Sequence, residues 1–167
     1  SLPPPTLVVP AAGEDPLMTI YYTSGSTGSP KGAMLGEGMA SVAWRAPDPR
    51  PMITLNYMPM NHSFGRILVF RTLAAGGTCY FAAKSDLSTL FEDIQRVRPS
   101  FINVVTRICE MIHARYLNEL AARGPGAQTD EVMADVRERL IGGRLTSAAF
   151  GAAPMTAELR AFMETCL

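Results

Sequence analysis

The sequence predicts an α/β fold, a mostly parallel sheet flanked by helices, and three observations carry that expectation. Short runs rich in β-branched, aromatic and other apolar residues recur along the chain: LMTIYYT at 17–23, MITLNYM at 52–58, GTCYFAA at 77–83, SFINVV at 100–105 and RLTSAAF at 144–150. Between the later runs lie stretches with helical apolar spacing, bounded by Gly or Pro. Strand–helix–strand alternation at this spacing builds βαβ units, whose strands lie parallel with helices on the sheet faces.

The elements follow in order. Residues 1–15, rich in Pro and Ala, read as a linker or edge segment, and 16–167 as part of one domain. LMTIYYT reads as a buried strand ending in a glycine-rich turn. Ala33 to Arg45 has helix-forming composition, interrupted by Gly36 and Gly38. A loop over 46–51 leads to the second strand. The 59–66 loop then feeds a helix over Ile67 to Ala75, stopped by Gly76 and Gly77. After the 77–83 strand, Leu87, Leu90, Phe91, Ile94 and Val97 share one helical face, with Asp86 as cap and Pro99 beyond the end. Thr106 is positioned to cap the next helix, which carries Ile108, Met111, Ile112 and Tyr116 and breaks at Gly124-Pro125-Gly126. Thr129 to Ile141 is a further amphipathic helix closed by Gly142 and Gly143, and RLTSAAF enters GAAPMT and a final helix.

The bulk properties exclude several classes. A chain of 167 residues with 47% hydrophobic and 18% charged content is globular rather than disordered. Fifteen basic residues balance fifteen acidic ones, which argues against nucleic acid or an anionic membrane as a general partner. No apolar run is long enough to span a bilayer, and the N-terminal stretch lacks a signal peptide's pattern. Cys79, Cys109 and Cys166 are odd in number and widely spaced, which suits buried thiols in a reduced, cytoplasmic protein.

In parallel sheets of this kind ligands sit beyond the carboxyl ends of the strands. The loops at 23–32, 59–66 and 151–154 each follow an expected strand, so all three are placed to border one crevice. The first reads YTSGSTGSPKG from 22 to 32. Gly25 and Gly28 let backbone N–H groups converge on an anion, Thr23, Ser24, Ser26 and Thr27 add hydroxyl donors, and Lys31 adds charge. The pattern is not a Walker A loop, because Pro30 precedes the lysine and the spacing between glycines differs. A nucleotide's phosphates fit it better than a flexible Ser/Gly linker would.

That stretch resembles the signature loop of the adenylate-forming superfamily, which includes acyl-CoA synthetases, luciferases, nonribosomal peptide adenylation domains and carboxylic acid reductases. The resemblance implies that the loop binds the β- and γ-phosphates of ATP while a carboxylate attacks the α-phosphate, giving an acyl-adenylate and pyrophosphate. YMPMNHSFGR at 57–66 is similar to the family's motif beside the acid, which places His62 next to the substrate carboxylate, neutral or charged. GAAPMT resembles the family's GxAP element, so Gly151, Ala152, Ala153 and Pro154 border the adenine and acyl group; Thr156 is also a helix cap there. Arg66 is kept as a pocket residue or a surface ion-pair partner. His113, alone on a helix, reads as structural, as do the charges of 92–98 and 130–138 on solvated helix faces and the ten methionines as core filler.

Within the superfamily MPMNHSFGR, LSTLFEDIQRVRPSFINVV and ERLIGGRLTSAAFGAAPMT, together with the helical stretch 107–141, are most similar to carboxylic acid reductases. Two positions depart from them, with Ala152 where serine and Cys109 where tryptophan is frequent. The resemblance implies an ATP- and Mg²⁺-dependent acid-activating module acting on a fatty or aromatic acid. A carrier domain's phosphopantetheine thiol and an NADPH-dependent reductase domain belong elsewhere in the parent. The family's Tyr-Gly-x-Thr-Glu element, ribose-binding aspartate and catalytic lysine do not occur in the 167 residues, so the expectation is a fragment that does not turn over alone. An acyl-CoA ligase is the alternative within the class, and a non-catalytic nucleotide-binding scaffold the alternative outside it.

Overall fold

The computed structural model describes residues 14–23, 30–45, 50–151 and 153–167. In chain order it contains β1 (Leu17–Thr23), β2 (Lys31–Gly36), α1 (Glu37–Trp44), β3 (Ile53–Asn56), α2 (Ser63–Ala74), β4 (Thr78–Phe81), α3 (Leu90–Val97), β5 (Phe101–Val105), α4 (Thr106–Arg123), α5 (Thr129–Ile141), β6 (Ser147–Gly151) and α6 (Ala157–Cys166). The last four strands form one fully parallel sheet in the order β4-β3-β5-β6, as βαβ alternation demands. Among the described residues no helix is long and apolar enough to cross a membrane.

The N-terminal region departs from the expectation. β1 does not join the parallel sheet; it pairs antiparallel with β2, and its residues Leu17, Ile20 and Tyr22 are exposed rather than buried. Residues 33–36, whose Ala, Met and Leu favour helix, are strand because cross-strand pairing with β1 outweighs weak intrinsic propensity. Helix α1 therefore begins only at Glu37. Asp15 holds that start: its Oδ1 accepts from the Gly38 N–H at 2.6 Å, and the Pro16 carbonyl accepts from the Glu37 N–H at 3.0 Å. A side chain at Gly36 would collide with the Asp15 carboxylate.

The parallel sheet has two unlike faces. On one, Leu55, Ile102 and Val104 pack with Leu90 and Ile94 of α3, Ile108 and Ile112 of α4, Val132 and Val136 of α5, and Leu159 and Met163 of α6. Burying each such side chain contributes roughly 1.5–3 kcal/mol, so this layer supplies most of the apolar stabilisation. The other face meets α2. Strand alternation turns Thr54, Asn56 and Asn103 that way, and all three are buried. Each is satisfied: Thr54 and Thr72 hydroxyls bond at 2.9 Å, Asn56 Oδ1 accepts from the Met58 N–H at 3.1 Å, and Asn103 Nδ2 donates to the Phe64 carbonyl at 3.1 Å. Polar groups thus fix α2 and the loop before it, where the apolar look of MITLNYM and SFINVV promised only core.

Several local expectations are corrected. Helix α2 starts at Ser63, not Ile67, because His62 caps it. Helix α3 starts at Leu90, and Leu87 lies before it at φ 63°. Asp86 Oδ1 accepts from the Ser88 N–H and closes a turn, not the helix. Asp93 is buried, not solvated: its carboxylate accepts from the Ala83 N–H and the Thr89 hydroxyl, both at 3.0 Å. Thr106 is the first residue of α4 and does not cap it. Cys109 and Cys166 are buried as expected, while Cys79 is half-buried. Of the methionines Met163 is core, but Met18, Met34, Met39 and Met60 are exposed.

Candidate active site

The carboxyl ends of β3, β5 and β6 open on one side of the sheet; two segments follow them directly, and a third, the N-terminal hairpin, is linked to the first. The first is the 57–66 loop after β3. Tyr57 anchors its start, its hydroxyl donating to the Asn103 carbonyl at 2.8 Å and accepting from the Val105 N–H at 3.3 Å. Burial pushes the Tyr57 phenol up to about 12, although the Val105 bond acts the other way. The His62 N–H closes a turn onto the Pro59 carbonyl at 3.0 Å. Helix α2 then passes so close to the loop that a Cβ on Gly65 would lie 2.9 Å from the carbonyl oxygens of Met58 and Pro59. Only glycine lets the loop fold back on its own helix.

His62 is exposed at the N-terminus of α2, and its Nδ1 accepts from the Phe64 N–H at 3.2 Å. An accepting Nδ1 carries no proton, so the bond assigns the hydrogen of the neutral ring to Nε2. The imidazole thereby offers one N–H donor on its solvent side.

The second segment follows β6. Gly151 pairs with Val105 across β5 and β6, and the Phe64 ring covers it: a Cβ there would lie 3.1 Å from Phe64 Cζ. The Thr106 hydroxyl donates to the Ala153 carbonyl at 3.1 Å, tying the start of α4 to this turn. Ala153 and Pro154 are exposed, and Thr156 caps α6, its hydroxyl accepting from the Leu159 N–H at 3.2 Å. A groove of about 290 Å³ runs between this turn and α4, lined by Thr106, Glu110, His113, Pro154, Thr156 and Glu158. His113 packs its ring 4.5 Å from Phe162 and 6.5 Å from Tyr116, a structural setting.

The third segment is the β1–β2 hairpin. Thr23 and Lys31 are facing partners in its ladder, so the two flanks of the serine- and glycine-rich run are held together. Ser24, Gly25, Ser26, Thr27 and Gly28 lie outside the described residues, as does Ala152. Arg66 links this hairpin to the His62 loop. Its Nε donates to the Met60 carbonyl at 3.1 Å, its Nη1 to the Thr19 hydroxyl at 2.8 Å, and its guanidinium stands 5.0 Å from the Tyr21 ring. Among the described residues its contacts make it a strut between two segments. Beside the same Tyr21 ring, between the hairpin, α1 and α2, an apolar groove of about 460 Å³ is lined by Met18, Tyr21, Met39, Val42, Ile67 and Phe70.

The structure joins the His62 loop to Gly151 through the Phe64 ring and ties that loop to Thr19 and Tyr21 of the hairpin through Arg66. The sequence reading missed Phe64, Asn103, Tyr57 and Thr106 as shapers of this region. A polar residue inside each β-prone run was the available signal for Asn103. Among the described residues no group of three or more His, Cys, Asp or Glu side chains is arranged to hold a metal ion.

Comparison with known proteins gives this geometry a family. The family model for AMP-binding enzymes matches residues 3–167. A carboxylic acid reductase of Segniliparus rugosus is 45% identical over an alignment covering 100% of this chain, which spans only 15% of that relative's length. The structure of an adenylation–carrier didomain of carboxylic acid reductase from Segniliparus rugosus, in complex with AMP, superposes with a TM-score of 0.83 at 44% identity, covering 97% of this chain and 24% of that one. The adenylation domain from the same organism, bound to AMP and a co-purified carboxylic acid, gives 0.80 at 41% identity, covering 97% and 28%. The chain belongs to the AMP-binding enzyme family, and its sequence and fold are similar to the adenylation domain of carboxylic acid reductases.

Proposed function

We propose that this chain is part of the adenylation module, residues 16–167, of a cytoplasmic carboxylic acid reductase. The module activates a fatty or aromatic carboxylic acid with ATP. The observation that carries the reading is the 45% identity over the whole chain to a carboxylic acid reductase, and the His62 loop and Gly151, both at strand carboxyl ends and joined by the Phe64 ring, are consistent with it.

Each part has a role in that reaction. A carboxylate oxygen attacks the α-phosphate of ATP, the bond to the β-phosphate breaks, and acyl-adenylate and pyrophosphate result. The Nε2–H of His62 donates to the acid and orients it. Lys31 and the hydroxyl and glycine residues of 23–28 hold the departing phosphates. The small residues Gly151, Ala152 and Ala153 leave room for a flat ring against the main chain. Mg²⁺ offsets charge on ATP phosphates when bound. The described residues supply no clustered ligand set for it, so no step here is routed through it. Phosphopantetheine and NADPH act on the acyl group in other domains of the parent, which take it as thioester and reduce it to aldehyde.

The intact parent, with its carrier in phosphopantetheine form, tests this with ATP, Mg²⁺, NADPH, CoA and a panel of fatty and aromatic acids. Aldehyde is the expected product. Acyl-CoA without aldehyde would make the parent an acyl-CoA ligase, and no product from any acid would leave a nucleotide-binding scaffold.

A further inference from the structure

We infer that Asn103 and Tyr57 are positioning residues for His62, setting the first turn of α2 and through it the direction of the imidazole's Nε2–H. This rests on the acid-activating reading and adds to it two groups that stand behind the pocket.

Asn103 lies in the middle of β5, where an amide is costly unless both its ends find partners. Its Nδ2 spends a donor on the carbonyl of Phe64, the second residue of α2. Phe64 is also the residue whose N–H holds His62 Nδ1, so Asn103 grips from behind the backbone that orients the imidazole. Tyr57 fixes the other side. Its hydroxyl bridges the Asn103 carbonyl and the Val105 N–H, locking the end of β5 to the root of the His62 loop. The chain of contacts runs from Tyr57 to Asn103, to Phe64, to His62. The Thr54–Thr72 pair is an internal comparison. It is equally buried and bonds β3 to the far end of α2, with no such path to His62.

The test uses the intact parent enzyme and three variants. Asn103→Leu keeps bulk and removes the donor, Tyr57→Phe removes one hydroxyl, and Thr54→Val removes a buried hydroxyl elsewhere. The expected result for Asn103→Leu is an acid KM raised about tenfold with the ATP KM within about twofold, the size of one lost buried hydrogen bond acting on one substrate. Hydrogen exchange at the Phe64 amide rises with it. Tyr57→Phe shifts both readouts in the same direction by less, and Thr54→Val shifts neither. Should Asn103→Leu fail to fold, Tyr57→Phe alone carries the comparison with Thr54→Val. The inference is overturned if the acid KM moves no more than in Thr54→Val, or if acid and ATP KM rise in proportion. A parent that activates no acid would remove the acid-activating reading instead. The Phe64 amide then decides: faster exchange upholds the positioning role, and unchanged protection overturns it.

Discussion

His62 caps helix α2 with an exposed ring: its Nδ1 accepts from the Phe64 N–H at 3.2 Å, leaving Nε2 free of that bond. In the proposed function the same side chain also meets the acid, and the two roles separate by substitution. Asn is a good N-cap and replaces the acceptor without the distal donor. His62→Asn in the parent should keep the melting temperature and lower kcat/KM for the acid on the order of a hundredfold, as loss of a positioned donor does. His62→Ala should lose the cap as well, at about 1 kcal/mol. Thermal melts beside acid kinetics check both.

The Phe64 ring covers Gly151, and the room for a Cβ is 3.1 Å. Gly151→Ala should displace the ring and cost about 1–3 kcal/mol by overpacking. Phe64→Leu in the same molecule should recover part of that cost, because the two residues are in contact. Denaturant titration of both singles and the double gives the coupling. Additive effects would show that the ring does not rest on Gly151.

The buried Tyr57 hydroxyl makes one contribution to alkaline stability, beside those of the buried Cys109 and Cys166 thiols. Burial holds its phenol at about 12 in the fold, against about 10 in the unfolded chain. A raised value means the folded state keeps its proton longer. The contribution is therefore complete below pH 10 and is lost as pH rises towards 12, by roughly 2–3 kcal/mol in total. Tyr57→Phe should show a shallower loss over that window than the unsubstituted protein, measured by chemical denaturation at fixed pH steps.

Thiol labelling should proceed in a set order. Cys109 and Cys166 are buried and pushed up to about 11 by burial, while Cys79, also raised, is partly accessible. Thiolate is the reactive form, so at neutral pH Cys79 should alkylate first and the others only on unfolding. Peptide mapping of a labelling time course checks the order.

What the sequence made legible follows the range of the forces involved. Helix α5 runs from Thr129 to Ile141 as expected, because apolar period and Gly142, at φ 82°, are local signals. The parallel sheet was legible from alternation alone. β2 was not, since Ala33–Gly36 is strand only by pairing with β1, and a hairpin across a polar run announces itself poorly. Asp15 at the α1 start, Asp93 under Ala83 and Asn103 behind Phe64 were equally hidden. Each bonds a partner at least ten residues away, and residue type gives no hint of the partner. Resemblance singled out His62 as a site candidate, but its role as the cap of α2 required the Phe64 bond.

Acid-dependent exchange of labelled pyrophosphate into ATP by the intact parent tests the central claim most directly, because it reports acyl-adenylate formation without the carrier or the reductase. The account predicts exchange with at least one fatty or aromatic acid, little without acid, and a sharp loss in Lys31→Ala and His62→Asn. Exchange that is absent with every acid, or unchanged in both variants, would contradict it.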